Sequence, residues 1–120
     1  MVVKLTRDAI LEANDLPTKE VDVPEWGGSL YVRTMTGTER DAFEASLWIK
    51  DGDVRRQDLT NVRARLVATT ATDEQGNRLF SDKDVVRLGM KSSLALSRVF
   101  EAAQKLNGIG EKEEGEAIKN

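Results

Sequence analysis

The sequence predicts an α+β domain dominated by helices, with about four to five helices and one β-hairpin. Apolar residues recur at helical spacing in several windows, and good N-cap residues precede them. Only the stretch between Glu20 and Arg33 has the alternation and the strand-forming residues of a hairpin. A chain of 120 residues is the usual size of one domain. We therefore expect a single globular domain over residues 1–108 and a mobile acidic C-terminal tail over residues 109–120.

The N-terminal third predicts a short helix followed by the hairpin. The helix runs from about Arg7 to Ala13, with Thr6 as its N-cap, and it ends before Pro17 because the residue preceding a proline avoids the helical region. Two strands follow, Glu20–Val23 and Leu30–Arg33. The glycine pair between them tolerates the positive φ of a tight turn. The first strand ends at a proline, which has no N–H donor, so it should lie at a sheet edge.

Four more helices are predicted in the rest of the chain. The first begins at Thr36, where Thr-Gly-Thr-Glu has the capping-box pattern, and it carries Trp48 near its C-terminal end. The segment Asp51–Asp53 ends this helix, and Val54–Asp58 is read as a polar connector. The other three helices run from about Asn61 to Ala71, from Ser81 to Gly89 and from Ser92 to Leu106.

Composition removes several classes of function. The net charge of −3 argues against a protein that binds a phosphate backbone, so no nucleic-acid partner is expected. No apolar run approaches the roughly twenty residues that span a bilayer, so no membrane association is expected either. The chain has no histidine and no cysteine, which removes the Ser-His and Cys-His nucleophiles and the usual zinc sites.

Catalysis by carboxylates alone remains possible without histidine and cysteine, but the spacing of the acidic residues does not support it. The acidic stretch Asp51–Asp53 lacks the ligand spacing of a calcium-binding loop. We therefore predict no enzyme activity, no catalytic residue, no cofactor and no metal. A protein that binds other proteins is the class that remains.

Six residues are the candidates for contacts with a partner. The sequence contains few aromatic residues, and tryptophan is enriched at binding hot spots, although each of these aromatics also suits a domain core. The arginines of the polar connector could pair with an acidic partner, or be solvated loop charges. Trp48 equally suits the core or a contact with a second copy of the chain. The six candidates are Trp26, Tyr31, Met35, Trp48, Arg55 and Arg56.

The order of these segments resembles that of tail assembly chaperones encoded by siphophages and related prophages. The similarity covers nearly the whole chain and contains no chemically diagnostic motif. The similar stretches are Leu5–Pro17, Val21–Gly28, Tyr31–Glu44, Arg63–Phe80 and the helix end Ala-Gln-Lys-Leu-Asn-Gly-Ile-Gly.

The resemblance implies a non-enzymatic role in building a phage tail. Members of the family bind the long tape measure protein, keep it soluble and help recruit tail tube protein around it. They then leave, which implies action in the host bacterial cytoplasm and absence from the mature virion. The sequence leaves alternatives open: a structural virion component such as a small head-tail connector, an adaptor or inhibitor of a host protein, and a carboxylate enzyme.

Overall fold

Residues 2–109, which the computed structural model describes, form five α-helices and five β-strands in two sheets. Two 3₁₀ turns, Pro24–Trp26 and Asp82–Asp84, link neighbouring elements. The helices are α1 (Arg7–Leu11), α2 (Gly37–Ser46), α3 (Val62–Thr70), α4 (Val85–Gly89) and α5 (Ser93–Leu106). The strands are β1 (Thr18–Val23), β2 (Gly28–Arg33), β3 (Trp48–Asp51), β4 (Val54–Gln57) and β5 (Ala71–Thr72).

The prediction of a helix-dominated fold with one hairpin is wrong. The fold is a mixed α+β arrangement with 45% helix and 21% strand, and it contains a second hairpin, β3–β4. Helix α2 stops at Ser46, whose hydroxyl donates to the Phe43 carbonyl at 2.6 Å in competition with the helical ladder. Trp48 therefore begins a strand and does not lie in a helix. The supposed polar connector is strand β4.

The first sheet has the order β1-β2-β5, with both pairings antiparallel. Its predicted strands are confirmed, and β1 lies at the edge as its proline indicated. The short strand β5 was not predicted, because two residues are too few to show alternation. Val21 faces Leu30 across the ladder, and Val23 and Val32 on the same face are fully buried.

Helix α5 covers the apolar face of this sheet and packs against α3. One stripe of the helix faces the core: Leu96, Val99 and Ala103 are buried, and Leu106 is partly buried beside them. Helix α3 is buried along most of its length, with Leu66 and Val67 fully enclosed. The core therefore lies between one sheet and two helices. This leaves α2 and the second hairpin at the periphery.

The two ends of the described chain differ. Helix α1 buries none of its residues, although Thr6 caps it as predicted by accepting from the Ala9 N–H at 3.2 Å. At the other end, Ile109 packs against the core and donates its N–H to the Gln104 carbonyl at 2.8 Å. The rest of the predicted tail, residues 110–120, lies outside the described residues. Within residues 2–109, no helix is both long and apolar enough to cross a membrane.

Candidate protein-binding site

The second hairpin is the most exposed ordered element after α1. Its register pairs Trp48 with Gln57 and Asp51 with Val54, which leaves Gly52 and Asp53 as a two-residue turn. Gly52 has a φ of 65°, as the first central residue of a tight hairpin turn requires. Every residue of β4 is exposed, and the hairpin packs mainly against α2. It therefore projects from the domain.

Arg65 of α3 holds both ends of this hairpin to the body of the domain. One guanidinium nitrogen, Nη1, donates to the carbonyl of Ser46 at 2.7 Å and to its hydroxyl at 2.8 Å. The other, Nη2, donates to the carbonyl of Asp58 at 2.7 Å. The N–H of Asp58 in turn donates to the Leu47 carbonyl at 2.6 Å. One side chain thus joins the residues on either side of the hairpin.

One face of the hairpin is aromatic and cationic. The Arg55 guanidinium lies 5.1 Å from the centre of the Trp48 ring, within the range of a cation–π contact, and 45% of Trp48 stays exposed. Lys50 lies directly opposite Arg55 in the register and so projects to the same side. We call Trp48, Lys50 and Arg55 the cationic face.

The opposite face of the hairpin has a different character. Arg56 lies opposite Ile49, and its Nε donates to the Asp51 carboxylate at 3.2 Å. Val54 projects to this side and is exposed. Since Arg56 already has an acidic partner, this face offers less free positive charge than the cationic face.

The structure brings three of the six predicted contact residues together: Trp48, Arg55 and Arg56 share the second hairpin. The sequence placed Trp48 in a helix and the arginines in a connector, so their proximity was not foreseen. Asp51-Gly52-Asp53 between strand-forming residues was the available signal. Read as a hairpin turn, it also identifies Lys50, which the list of candidates omitted.

The other three predicted residues lie on or under the first sheet. Trp26 ends a 3₁₀ turn and packs partly against the core. Tyr31 lies on the outer face of β2, and partial desolvation, followed by the charges of Glu20 and Glu74, raises its pKa. Met35 follows β2 and only 6% of it is exposed, so it packs within the domain. Strand β2 ends at Arg33, so Tyr31 and Met35 do not lie on one strand face.

A groove runs beside α2 toward the base of the hairpin. Its cavity volume is about 360 Å³, and apolar atoms contribute most of its wall. Its charged lining residues are Glu39, Arg65, Arg78 and Asp82. We call it the α2 groove. Its other lining residues are Ala42, Phe43, Ser46, Thr69 and Val85.

The N-terminal end of α2 is fixed by a charged cap. Glu39 accepts from both terminal nitrogens of Arg33 at 2.8 Å and from the Thr36 N–H at 2.9 Å, completing the predicted capping box. The Arg33 hydrogen bonds are the main reason that the pKa of Glu39 is lowered. This pair is structural, because both side chains are mostly enclosed.

The arrangement suits protein binding better than chemistry. The part of the chain that the structure describes contains no cluster of three or more acidic residues that could hold a metal ion. The exposed features are an aromatic ring, two cations and an apolar groove, which are typical of a contact surface.

One comparison with known proteins identifies a family, and another finds a similar fold. The sequence profile described as phage tail assembly chaperone matches residues 6–119 of the chain. A solved structure titled "Structure of bacteriophage HK97 tail assembly chaperone" is similar in fold, with a TM-score of 0.59. The two chains share 16% sequence identity over 87% of this chain and 95% of that chain, so this likeness concerns the fold alone. No curated protein matches the sequence.

Proposed function

The chain belongs to the phage tail assembly chaperone family, and from that premise we propose that it binds a tape measure protein during tail assembly. In this proposal it keeps that long client soluble and helps to recruit tail tube protein around it. It makes and breaks no covalent bond. The observation that carries the proposal is the family match over residues 6–119.

The exposed surface supports a client of elongated, helical form. An amphipathic helix binds by laying its apolar side into a groove, and the α2 groove is mainly apolar. The groove leads to the hairpin base through Ser46, so a helix seated along it would approach the cationic face. Arg55 and Lys50 would then favour acidic residues on the client's polar side.

A chaperone that is later displaced needs a contact that is specific but weak. Such a contact belongs to the transient end of the size range of protein interfaces. Several copies bound along one client would raise the overall affinity through avidity. We propose that release occurs in the host cytoplasm as tube subunits arrive, which leaves the chaperone out of the mature virion.

Co-expression tests this function directly. The chain and the tape measure protein encoded in the same phage genome are produced together, and soluble client is compared with client expressed alone. The expected result is a recovered complex and a several-fold gain in soluble client. Unchanged client solubility together with no complex would contradict the proposal.

A structural virion component is the competing interpretation of the sequence, and family membership favours the chaperone. Mass spectrometry of purified infectious particles separates the two. A chaperone should be missing from the particles, whereas a connector would be present in a fixed number of copies.

A further inference from the structure

The cationic face holds two like charges directly opposite each other. Lys50 and Arg55 form a register pair across β3 and β4, and like charges in that position destabilise a hairpin. Among residues 2–109 neither of them forms an ion pair. The nearest acid on the hairpin, Asp51, bonds Arg56 on the other face. An anionic group over the cationic face would therefore relieve repulsion as well as gain attraction.

The chain supplies an acidic segment of its own beyond the described residues. Residues 110–120 hold four glutamates against two lysines. They also contain an apolar pair, Ala117 and Ile118, that could cover part of an exposed indole. The net negative charge of the segment complements the two cations of the face. Its apolar pair complements the tryptophan.

The segment starts within reach of this face. The carbonyl of Asn107 accepts from Arg40 Nη1 at 2.9 Å, so the end of α5 lies beside the first half of α2. From Arg40 to Trp48 the chain advances eight residues, which is about 12 Å at the helical rise. Eleven residues span up to roughly 36 Å when extended. The segment can therefore follow α2 to the hairpin with length to spare.

We propose that residues 110–120 bind in cis to the cationic face formed by Trp48, Lys50 and Arg55. Each exposed charge pair contributes little, typically below about 1 kcal/mol. The tether compensates, because a short covalent link gives an effective concentration of about a millimolar, and a millimolar intrinsic affinity then occupies the face about half of the time. The bound fraction depends on salt, because the contacts are exposed and screened.

The occupied face excludes other acidic ligands until they displace the segment. A partner that binds the cationic face must present acidic residues and must compete with the tethered segment. This competition would keep a free chaperone from binding stray acidic proteins and would shorten its contact with any client. The cis contact itself does not depend on client binding, so its test uses the chain alone.

A spin label placed in the segment measures the contact. The chain has no cysteine, so Asn120→Cys gives a single attachment site in the full-length protein and leaves Ala117 and Ile118 unchanged. In two-dimensional NMR spectra at low salt, amide signals of residues 48–57 should lose most of their intensity, because a paramagnetic label that lies near an amide for about half of the time broadens its signal strongly. The loss should disappear at high salt. A mixed sample of labelled chain and isotope-enriched unlabelled chain should show no loss, since the contact is in cis.

Charge reversal provides the specificity control. Glu113→Lys with Glu114→Lys should abolish the broadening, while Glu12→Lys with Asp15→Lys, an equal charge change in the exposed N-terminal segment, should leave it intact. Adding Lys50→Glu and Arg55→Glu to the first pair should restore it. Broadening spread over the whole surface, broadening only in the mixed sample, or no broadening at all would each overturn the proposal.

Discussion

Asn107 shows how one polar side chain can join three elements. Its Oδ1 accepts from the Met35 N–H at 2.7 Å, and its Nδ2 donates to the Ala103 carbonyl at 2.9 Å and the Arg33 carbonyl at 3.3 Å. The backbone carbonyl of the same residue accepts from Arg40. Asn107 thus closes α5 and fastens it to β2 and to α2.

Replacing Asn107 should therefore destabilise the protein by more than the loss of a helix cap alone would. Asn107→Ala leaves the enclosed Met35 N–H and Arg33 carbonyl without partners, so we expect unfolding free energy to fall by about 2–3 kcal/mol. Asn107→Asp keeps the acceptor and loses the donors, so its loss should be intermediate. Urea denaturation of both variants checks this. If the free energy of unfolding falls by less than about 0.5 kcal/mol for Asn107→Ala, which is the usual range for surface substitutions, the prediction is contradicted.

The pair of Arg33 and Glu39 predicts a defined dependence of stability on pH. Because the pKa of Glu39 is lowered in the folded state, the pair stabilises the protein fully above the unfolded-state pKa of about 4.3. That contribution is lost as pH falls through the folded-state pKa. Glu39→Gln should thus be less stable than the parent by about 1–2 kcal/mol at neutral pH, a gap that closes on acidification below about pH 4.3.

The matched control is Glu44→Gln on the same helix. Glu44 pairs with Arg40 at 3.2 Å, but its side chain is more than half exposed, so little stability should depend on it. Chemical denaturation between neutral and acidic pH compares the three proteins. A gap for Glu39→Gln that stays constant with pH would show that the carboxylate charge is not its cause.

At the scale of elements, the sequence correctly predicts those helices and strands whose local sequence preference agrees with their packing in the fold. The capping box at Thr36 and the last helix, predicted from Ser92 to Leu106, are both confirmed, because propensity and burial favour the same state. The segment 48–57 fails for the opposite reason. The predicted continuation of helix α2 does not form, because Arg65 donates to the carbonyl of Ser46, nineteen residues away in the chain, and closes the base of the hairpin. No local window contains that contact.

Arg65 is therefore expected to control the order of the whole hairpin. Arg65→Met keeps most of the packing volume but leaves the carbonyls of Ser46 and Asp58 without their charged donor. Hydrogen exchange of residues 48–57 should accelerate by about tenfold or more, while α3 and α5 keep most of their protection. Arg63→Met is the matched control, since Arg63 only lies over the exposed side of Phe100 at 5.8 Å.

The outcome of the exchange experiment distinguishes two roles for the hairpin. If its protection is unchanged by Arg65→Met, the hairpin is held by its own cross-strand pairs and its packing on α2. If α3 and α5 lose protection equally, Arg65 serves the core and not the hairpin in particular. Only selective loss in residues 48–57 supports the view that Arg65 fastens a projecting element.

At the scale of the whole molecule, the cationic face is separate from the stable core. The α2 groove borders the core, because the buried Phe43 and two residues of α3 line it. The core lies between the first sheet, α3 and α5, whereas the cationic face lies on the second hairpin outside it. Substitutions on the hairpin should therefore change binding without changing the fold. The candidate residue Tyr31 lies on the outer face of the other sheet and Trp26 lies in the turn of its first hairpin, so the same binding assay can test both separately from the second hairpin.

The sharpest comparison uses one aromatic residue from each surface, measured against a single tape measure segment and against the full-length client. Trp48→Ala should weaken binding to the segment by about tenfold or more, as expected for an exposed aromatic anchor. Tyr31→Ala should have a smaller effect, because Tyr31 lies on β2 and not on the hairpin that carries the cationic face.

For the full-length client the loss should be steeper than for the segment, because many copies bind along one chain and each contact loses the same factor. Thermal denaturation is the control: Trp48→Ala should retain the stability of the parent protein, so that weaker binding is not the result of unfolding. The reverse pattern, in which Tyr31→Ala abolishes binding and Trp48→Ala leaves it intact, would move the client site to the outer face of the first sheet. Such a result would leave the hairpin without a part in holding the client, while the cis contact of its cationic face would remain to be judged by the spin-label experiment alone.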